Sequence, residues 1–366
     1  MITIAFAGGG TGGHIYPGLT IIASLKKIFP CRVFWIGADT GMDRAIVEEA
    51  GIEFRGIPAG KLRRYFSLKN FVDIFKVLAG FFAARTILSR EKPALLFSKG
   101  GFVSVPPCVA ASTLKIPVFT HESDFSPGLA TRINLRFAEK IFTAFRETAG
   151  LLPPAARSRA VYTGNPIRPE FRAACAKSGR AFLGIGEEDP VLLVLGGSLG
   201  ARQINDLVRE CLPRLTGRFV VVHQTGPGAA WDIPAAGRYK PYPFIHSDLP
   251  HVIAAAALVL CRSGAGTIWE CASLGKPMIL VPLAGSGTRG DQVENARYLE
   301  KKGAALVLSG DVKAEDIVTA VERISEDDGA RKKMSAAALE FAALDAGRLI
   351  AEAIAAHPGL SKRGPS

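Results

Sequence analysis

Cysteine is scarce and scattered. Its six copies stand at 31, 108, 175, 211, 261 and 271, with no Cys-x-x-Cys pair and no histidine at ligand spacing. A zinc site and a disulfide framework are therefore both unexpected, and a reducing compartment suits the chain. Tryptophan (3) and tyrosine (6) are few beside 21 phenylalanines. With no RNP-like, zinc-finger or arginine-rich array, no nucleic-acid partner is expected. No apolar run is long enough to span a bilayer, which takes about 20 residues. The longest, near residues 77–84 and 252–261, stop well short. The opening MITIAFAGGG lacks a basic segment before its apolar run and reads as a buried first strand, not as a secretory signal.

What is present describes a globule. The 366 residues are 48% hydrophobic and 21% charged, which excludes a disordered chain and exceeds what one core usually holds. Lysine and arginine outnumber aspartate and glutamate 45 to 33, a formal charge of +12, so an anionic partner is favoured. Short apolar runs alternate with amphipathic stretches of helical length: ITIAFAG, then residues 16–29; VFWIG, then 42–50; ALLFS, then 103–114 and PVFT. The rhythm restarts at VLLVLGG and runs through FVVVHQT, ALVLCRSG and PMILVPL. This spacing predicts an α/β protein with two parallel-sheet, Rossmann-like domains in tandem.

The break lies at TGNPIRPEF, near residues 162–170, where glycine and proline interrupt both series. The expected division is 1–163 and 164–340, with a helix and tail over 341–366 that has the N-terminal domain to pack back on. A last long helix is expected over residues 332–356, and HPGLSKRGPS after it reads as a frayed tail.

Two glycine-rich turns each follow a first strand and precede a helix: GGGTGGH at residues 8–14 and GGSLGAR at 196–202. Glycines let the backbone turn tightly and let an anion approach the free N–H groups of the helix that follows. A third such helix start is RSGAGT at 262–267, with Glu270 one turn in, suited to the paired hydroxyls of a ribose or simply to the dipole. His14 sits at a helix start, where the dipole disfavours an imidazolium, so it is placed to accept a proton or to cap the turn. Gln292 and Asn295 begin a later helix and can offer amides to a sugar. Gly8, Gly10 and Gly13 formally match the dinucleotide fingerprint with Asp39 downstream, but a dehydrogenase leaves the second loop unexplained. No two aspartates are spaced Asp-x-Asp, so no metal is expected, and no cofactor.

Between residues 58 and 93, Phe71, Ile74, Phe75, Leu78, Phe81 and Phe82 recur at helical spacing, flanked by Lys61, Arg63, Arg64, Lys69, Lys76, Arg85 and Arg90. A greasy face ringed by bases suits core packing or, with so dense a basic flank, an anionic bilayer surface, on which Phe75, Leu78 and Phe82 would be the membrane contacts.

In order along the chain, GGGTGGHIYPG, GGFVS, HES, TGNPIR, GGSLGAR, CRSGAGTIWE and GDQVENA resemble the MurG family of cell-wall glycosyltransferases, glycosyltransferase family 28. The match runs over almost the whole chain. The resemblance implies a GT-B fold, two domains facing each other across a cleft that is the active site. Its substrates would be UDP-N-acetylglucosamine and a lipid-linked muramoyl-pentapeptide acceptor, at the cytoplasmic face of the membrane with peripheral attachment. It also implies roles: Phe244 and Ile245 against uracil, Ile245 through its backbone; Glu270 on ribose; Ser198, Arg168, Ala265, Gly266 and Thr267 around the diphosphate; Gln292 on the donor sugar. Thr11, Gly12 and Gly13 would border the donor, and Gly10, Gly100, Gly101 and Ser104 would form the acceptor and diphosphate loops. His14 would be the base, oriented by His121 and Glu122. Where many relatives read His-Glu-Gln-Asn this chain reads His121-Glu122-Ser123-Asp124, and a carboxylate at Asp124 offers a donor no N–H. The loop LAGSGTRGDQ before Gln292 is longer than in some relatives.

Overall fold

A computed structural model describes residues 1–60, 68–197, 200–229, 231–285 and 290–361; the side chains of residues 68–72 and 361 lie outside it. The chain forms two compact units, Met1–Pro166 with Leu344–Ser366, and Ile167–Ala343.

In the first unit the order is β1 (Ile2–Gly8), α1 (Gly12–Ile28), β2 (Cys31–Ala38), α2 (Asp43–Glu49), β3 (Glu53–Ile57), α3 (Leu68–Glu91), β4 (Leu95–Gly100), α4 (Val105–Thr113), β5 (Val118–Glu122), α5 (Leu129–Asn134), β6 (Ala138–Thr143), the short α6 (Thr148–Leu151) and α7 (Pro154–Arg157), and β7 (Ala160–Tyr162). The seven strands pair in parallel as β3-β2-β1-β4-β5-β6-β7. A parallel sheet is covered on both faces, which is why β1 is apolar almost throughout, Thr3 excepted, and not alternately. Ile4 and Phe6 enter one core with Trp35 and Phe97, while Ala5 and Ala7 enter the opposite one with Phe34, Ile36 and Leu96.

The second unit holds α8 (Ala176–Leu183), β8 (Val191–Leu195), α9 (Arg202–Thr216), β9 (Val220–Gln224), β10 (Tyr239–Tyr242), α10 (Leu249–Ala255), β11 (Leu258–Cys261), α11 (Ala265–Ser273), β12 (Met278–Leu280), α12 (Asp291–Lys301), β13 (Ala305–Val307), α13 (Ala314–Glu326) and α14 (Asp328–Phe341). Its six strands pair in parallel as β10-β9-β8-β11-β12-β13. Strand order reverses between β1 and β4 in one sheet and between β8 and β11 in the other. In open parallel sheets such switch points are where loops diverge and ligands enter. The glycine turns after β1, β4 and β8, and the turn after β11, all stand there.

The single helix expected over residues 332–356 is two. α14 ends at Phe341, and α15 (Ala346–Ala355) starts afresh because the Asp345 carboxylate accepts from the Arg348 N–H at 3.1 Å as an N-cap. The chain thereby leaves one unit and rejoins the other. Ile350, Ala351 and Ile354 are fully buried with Ile4, Phe6 and Ile21 in the first core. Nor is the start of HPGLSKRGPS frayed. α16 (Pro358–Ser361) buries Leu360 in that core, and His357 Nε2 meets Glu139 Oε2 at 3.1 Å.

Candidate active site

In the first unit His14 is the third residue of α1, its N–H donating to Thr11 O at 3.0 Å. Its ring is held from the far side of the switch point. Gly100 and Gly101, at the end of β4, have φ of +87° and +75°, and a Cβ on Gly101 would stand 2.9 Å from His14 Cδ2. Any side chain there would push the ring away, so these glycines serve His14 both by conformation and by space. Ser104 is fully buried: its hydroxyl donates to Gly101 O at 2.9 Å and accepts from Asn134 Nδ2 at 2.9 Å. It braces the turn from beneath and is not offered to a ligand.

The loop after β1 holds a feature the spacing did not suggest. Asp43, 1% exposed at the start of α2, accepts from the Gly10 N–H at 2.9 Å and from the Ala38 N–H at 3.1 Å. Burial pushes its carboxyl up from the ordinary range. The loop's own donor is thus taken by an acid, which disfavours the pyrophosphate of a dinucleotide at this turn. Thr11 and Gly13 are exposed and Gly12 is half-buried against Tyr16.

At the end of β5, His121 Nε2 donates to Gly164 O at 3.0 Å, leaving Nδ1 unprotonated, and burial and the nearby Lys99 charge hold the ring well below its usual range. Glu122 accepts from the Asp124 N–H and the Gly128 N–H, both at 3.0 Å. Those bonds tie each carboxylate oxygen to the loop leading to α5.

In the second unit Arg168 Nε donates to Glu270 Oε1 at 2.7 Å. Burial raises the Glu270 carboxyl above the ordinary range, and the Arg168 guanidinium opposes that rise. Ala265, Gly266 and Thr267 form the first turn of α11, whose N–H groups have no intrahelical acceptor. A Cβ built at Gly264 or Gly266 meets nothing within 4 Å among the described residues, so this helix end is open to an anion. Gln292 Oε1 accepts from the Leu283 N–H at 3.0 Å, which fixes the amide and leaves its nitrogen for another acceptor. Ser263 donates to Gln292 O at 2.7 Å, and Asn295 Nδ2 donates to Ser263 O at 3.1 Å, so both are spent on holding α12.

Ile245 is 2% exposed and its N–H donates to Gln224 Oε1 at 3.0 Å, which leaves its carbonyl, not its N–H, for a base. Gln224 also reaches Gly197 O at 3.4 Å and so links the second glycine turn to Ile245. Its signal was slight, a polar residue closing the apolar strand VVVHQ. Phe244 is half-buried, its ring centroid 4.7 Å from that of His246. Ser198 and residues 286–289 of the loop before Gln292 lie outside the described residues, as do Lys61, Arg63 and Arg64 and the side chains of Lys69 and Phe71. Among the described residues no cluster of histidine, cysteine, aspartate and glutamate could hold a metal ion.

Comparison with known proteins gives this geometry its frame. The N-terminal domain model of glycosyltransferase family 28 matches residues 4–143, and the C-terminal domain model matches residues 191–350. The chain belongs to glycosyltransferase family 28. Among its relatives in this family is the UDP-N-acetylglucosamine--N-acetylmuramyl-(pentapeptide) pyrophosphoryl-undecaprenol N-acetylglucosamine transferase of Treponema denticola. The two are 52% identical over 337 residues, 87% of this chain and 86% of the relative. The transferase of the same name from Treponema pallidum (strain Nichols) is 49% identical, covering 90% and 88%. In fold, family 28 membership agrees with a crystal structure of Acinetobacter baumannii MurG (24% identity, TM-score 0.72, covering 97% of this chain and 99% of that one). The calicheamicin glycosyltransferase CalG4 is also similar (17% identity, TM-score 0.70, all of both chains).

Proposed function

We propose that this family 28 enzyme transfers N-acetylglucosamine from UDP-N-acetylglucosamine to the C4 hydroxyl of undecaprenyl-diphospho-N-acetylmuramoyl-pentapeptide, a step of peptidoglycan synthesis. The observation that carries this reading is the 52% identity to the Treponema denticola transferase, spread over 87% of the chain. The geometry of the second unit supports it. A carboxylate (Glu270), an open helix end (Ala265 to Thr267), a guanidinium (Arg168) and a free amide nitrogen (Gln292) are the donors and acceptors that a ribose, a diphosphate and a sugar require.

The acceptor oxygen attacks the anomeric carbon from the face opposite UDP, so an O–C bond forms as the bond from C1 to the diphosphate oxygen breaks, and an α-linked donor gives a β-linked product. His14 takes the hydroxyl proton. Arg168 and the α11 N–H groups stabilise the charge that gathers on departing UDP. Thr11, Gly12 and Gly13 border the donor in this reading, and Gly10, Gly100 and Gly101 the acceptor.

The acceptor's polyprenyl chain stays in the membrane, and no described helix is long and apolar enough to cross one. Peripheral attachment at the cytoplasmic face through α3 accounts for its outward face, where Ile74, Phe75, Leu78 and Phe82 are exposed beside Lys76 and Arg85.

UDP release from UDP-N-acetylglucosamine, measured in EDTA with and without a short-chain lipid-linked muramoyl acceptor, tests the reading. Release only with acceptor is expected. Release that ignores the acceptor, or none from folded protein, overturns it.

A further inference from the structure

Behind the glycine turns of the first unit lies a charge for which the proposed reaction has no use. Lys99, next to last in β4, is 1% exposed, and its ammonium donates to Ser123 Oγ at 2.7 Å; Ser123 in turn donates to Asn165 Oδ1 at 2.8 Å. An ammonium has three N–H groups, and among the described residues this is the one hydrogen bond it makes. Glu122 and Asp124 favour the charge from a distance, but burial prevails and pulls the amine down to about 8. A buried cation with one hydrogen bond is a costly arrangement, of the kind that clusters at functional sites.

Its surroundings point to what it does. Lys99 is followed directly by Gly100 and Gly101, the turn that presses on the His14 ring, and a Cβ on Gly8 would lie 3.3 Å from Lys99 Cβ, so its stem floors both loops of the switch point. The titratable groups that its charge reaches are His121, Glu122 and Asp124 at the end of β5, while His14 from α1 lies against the Gly100–Gly101 turn that follows it and Asp43 of α2 caps Gly10 on the facing loop. Its partners Ser123 and Asp124 are the two positions at which this chain departs from the His-Glu-Gln-Asn pattern.

We propose that Lys99 is a positioning residue for sugar transfer: tied through Ser123 to Asn165, it fixes the Gly100–Gly101 turn against His14 and supplies a positive charge that opposes a second one on the neighbouring His121. The inference rests on reading His14 as the group that accepts the proton. The neutral ring is the form that can do so.

The test is the pH dependence of transfer for parent, Lys99→Met, Ser123→Ala and His14→Ala, with donor KM and thermal midpoint measured for each. Lys99→Met keeps the stem and removes the charge. It is expected to lower kcat at least tenfold, to leave donor KM within twofold, and to move the acid limb of kcat/KM to higher pH, because His121 freed from the Lys99 cation protonates more readily beside the turn. Ser123→Ala removes the ammonium's one hydrogen bond, so the charged form is lost sooner as pH rises. An alkaline limb near about 8 in the parent is expected to move lower.

A folded Lys99→Met with parental kcat and acid limb overturns the proposal. So does Ser123→Ala with a parental alkaline limb, which decides the matter alone if Lys99→Met does not fold. Near-parental turnover in His14→Ala overturns the base reading itself. An inactive His14→Ala beside unshifted limbs in the other variants overturns only the role of Lys99.

Discussion

A single carboxylate in the second unit is asked to do two things at different times. Without ligand, Glu270 pairs with Arg168 at 2.7 Å; with donor bound, the proposed mechanism puts it on the ribose hydroxyls and Arg168 near the diphosphate. Both roles need the ionised form. Because burial raises its carboxyl, Glu270 takes up a proton at a pH above the ordinary carboxylate range. As pH falls through that raised value, the acceptor for two hydroxyls is lost. UDP affinity is therefore expected to decline toward acid earlier than an exposed glutamate would allow. Glu270→Gln keeps the shape but not the charge, and a hydrogen bond to a charged group contributes about 1.5–3 kcal/mol, so UDP should bind roughly 10- to 150-fold more weakly. The acidic decline should also disappear. Isothermal titration from pH 5 to 8 measures both, and an unchanged pH profile in Glu270→Gln would remove the carboxylate from the ribose.

Elements differ in how openly the sequence announces them. β1, β4, β8 and β11 were legible because a strand covered on both faces carries a near-continuous apolar run, broken only at Thr3 in β1 and after Phe97 in β4, and the glycine turns because a tight bend beside a helix start leaves little choice of residue. β3, with the sequence EFRGI, was not legible, since Arg55 and Glu53 turn outward into ion pairs with Glu91 and Arg32. Asp43, Gln224, Asn134 and Lys99 escaped for another reason: each acts on a backbone or side chain brought near only by sheet order, such as Asp43 on Gly10, 33 residues away. Helix α3 falls between these cases. Its periodicity was plain, but Phe81 and Phe82 are about 100° apart on a helix, and the structure turns Phe81 toward Ala84 and Leu88 while Phe82 stays 64% exposed. The outward stripe is therefore Ile74, Phe75, Leu78 and Phe82. Because those side chains are largely exposed, Phe75→Ser with Leu78→Ser and Phe82→Ser should change the thermal midpoint and UDP affinity little. Partition onto anionic vesicles should weaken at least tenfold. Equal vesicle binding by parent and triple variant, read by sedimentation, would sink the membrane role of α3.

For the molecule as a whole, connectivity matters more than any one site. The chain builds the first sheet, builds the second unit, and then returns α15 and α16 to the first core, where Ile350 and Ile354 are fully buried beside Ile4 and Phe6. The closing residues of the chain thus finish the fold of its opening ones. Truncating a buried isoleucine to alanine typically costs about 2–5 kcal/mol, so Ile350→Ala with Ile354→Ala should remove about 4 kcal/mol or more. At roughly 2–4 °C per kcal/mol for a unit of this size, its midpoint should fall by about 10 °C. The donor groups Arg168, Glu270, Ala265 to Thr267 and Gln292 all belong to the other unit. Scanning calorimetry of the double variant should therefore show the first unit's transition moved down while UDP affinity at 20 °C stays within twofold. Loss of UDP binding in step with the transition would mean that the second unit does not hold the donor on its own.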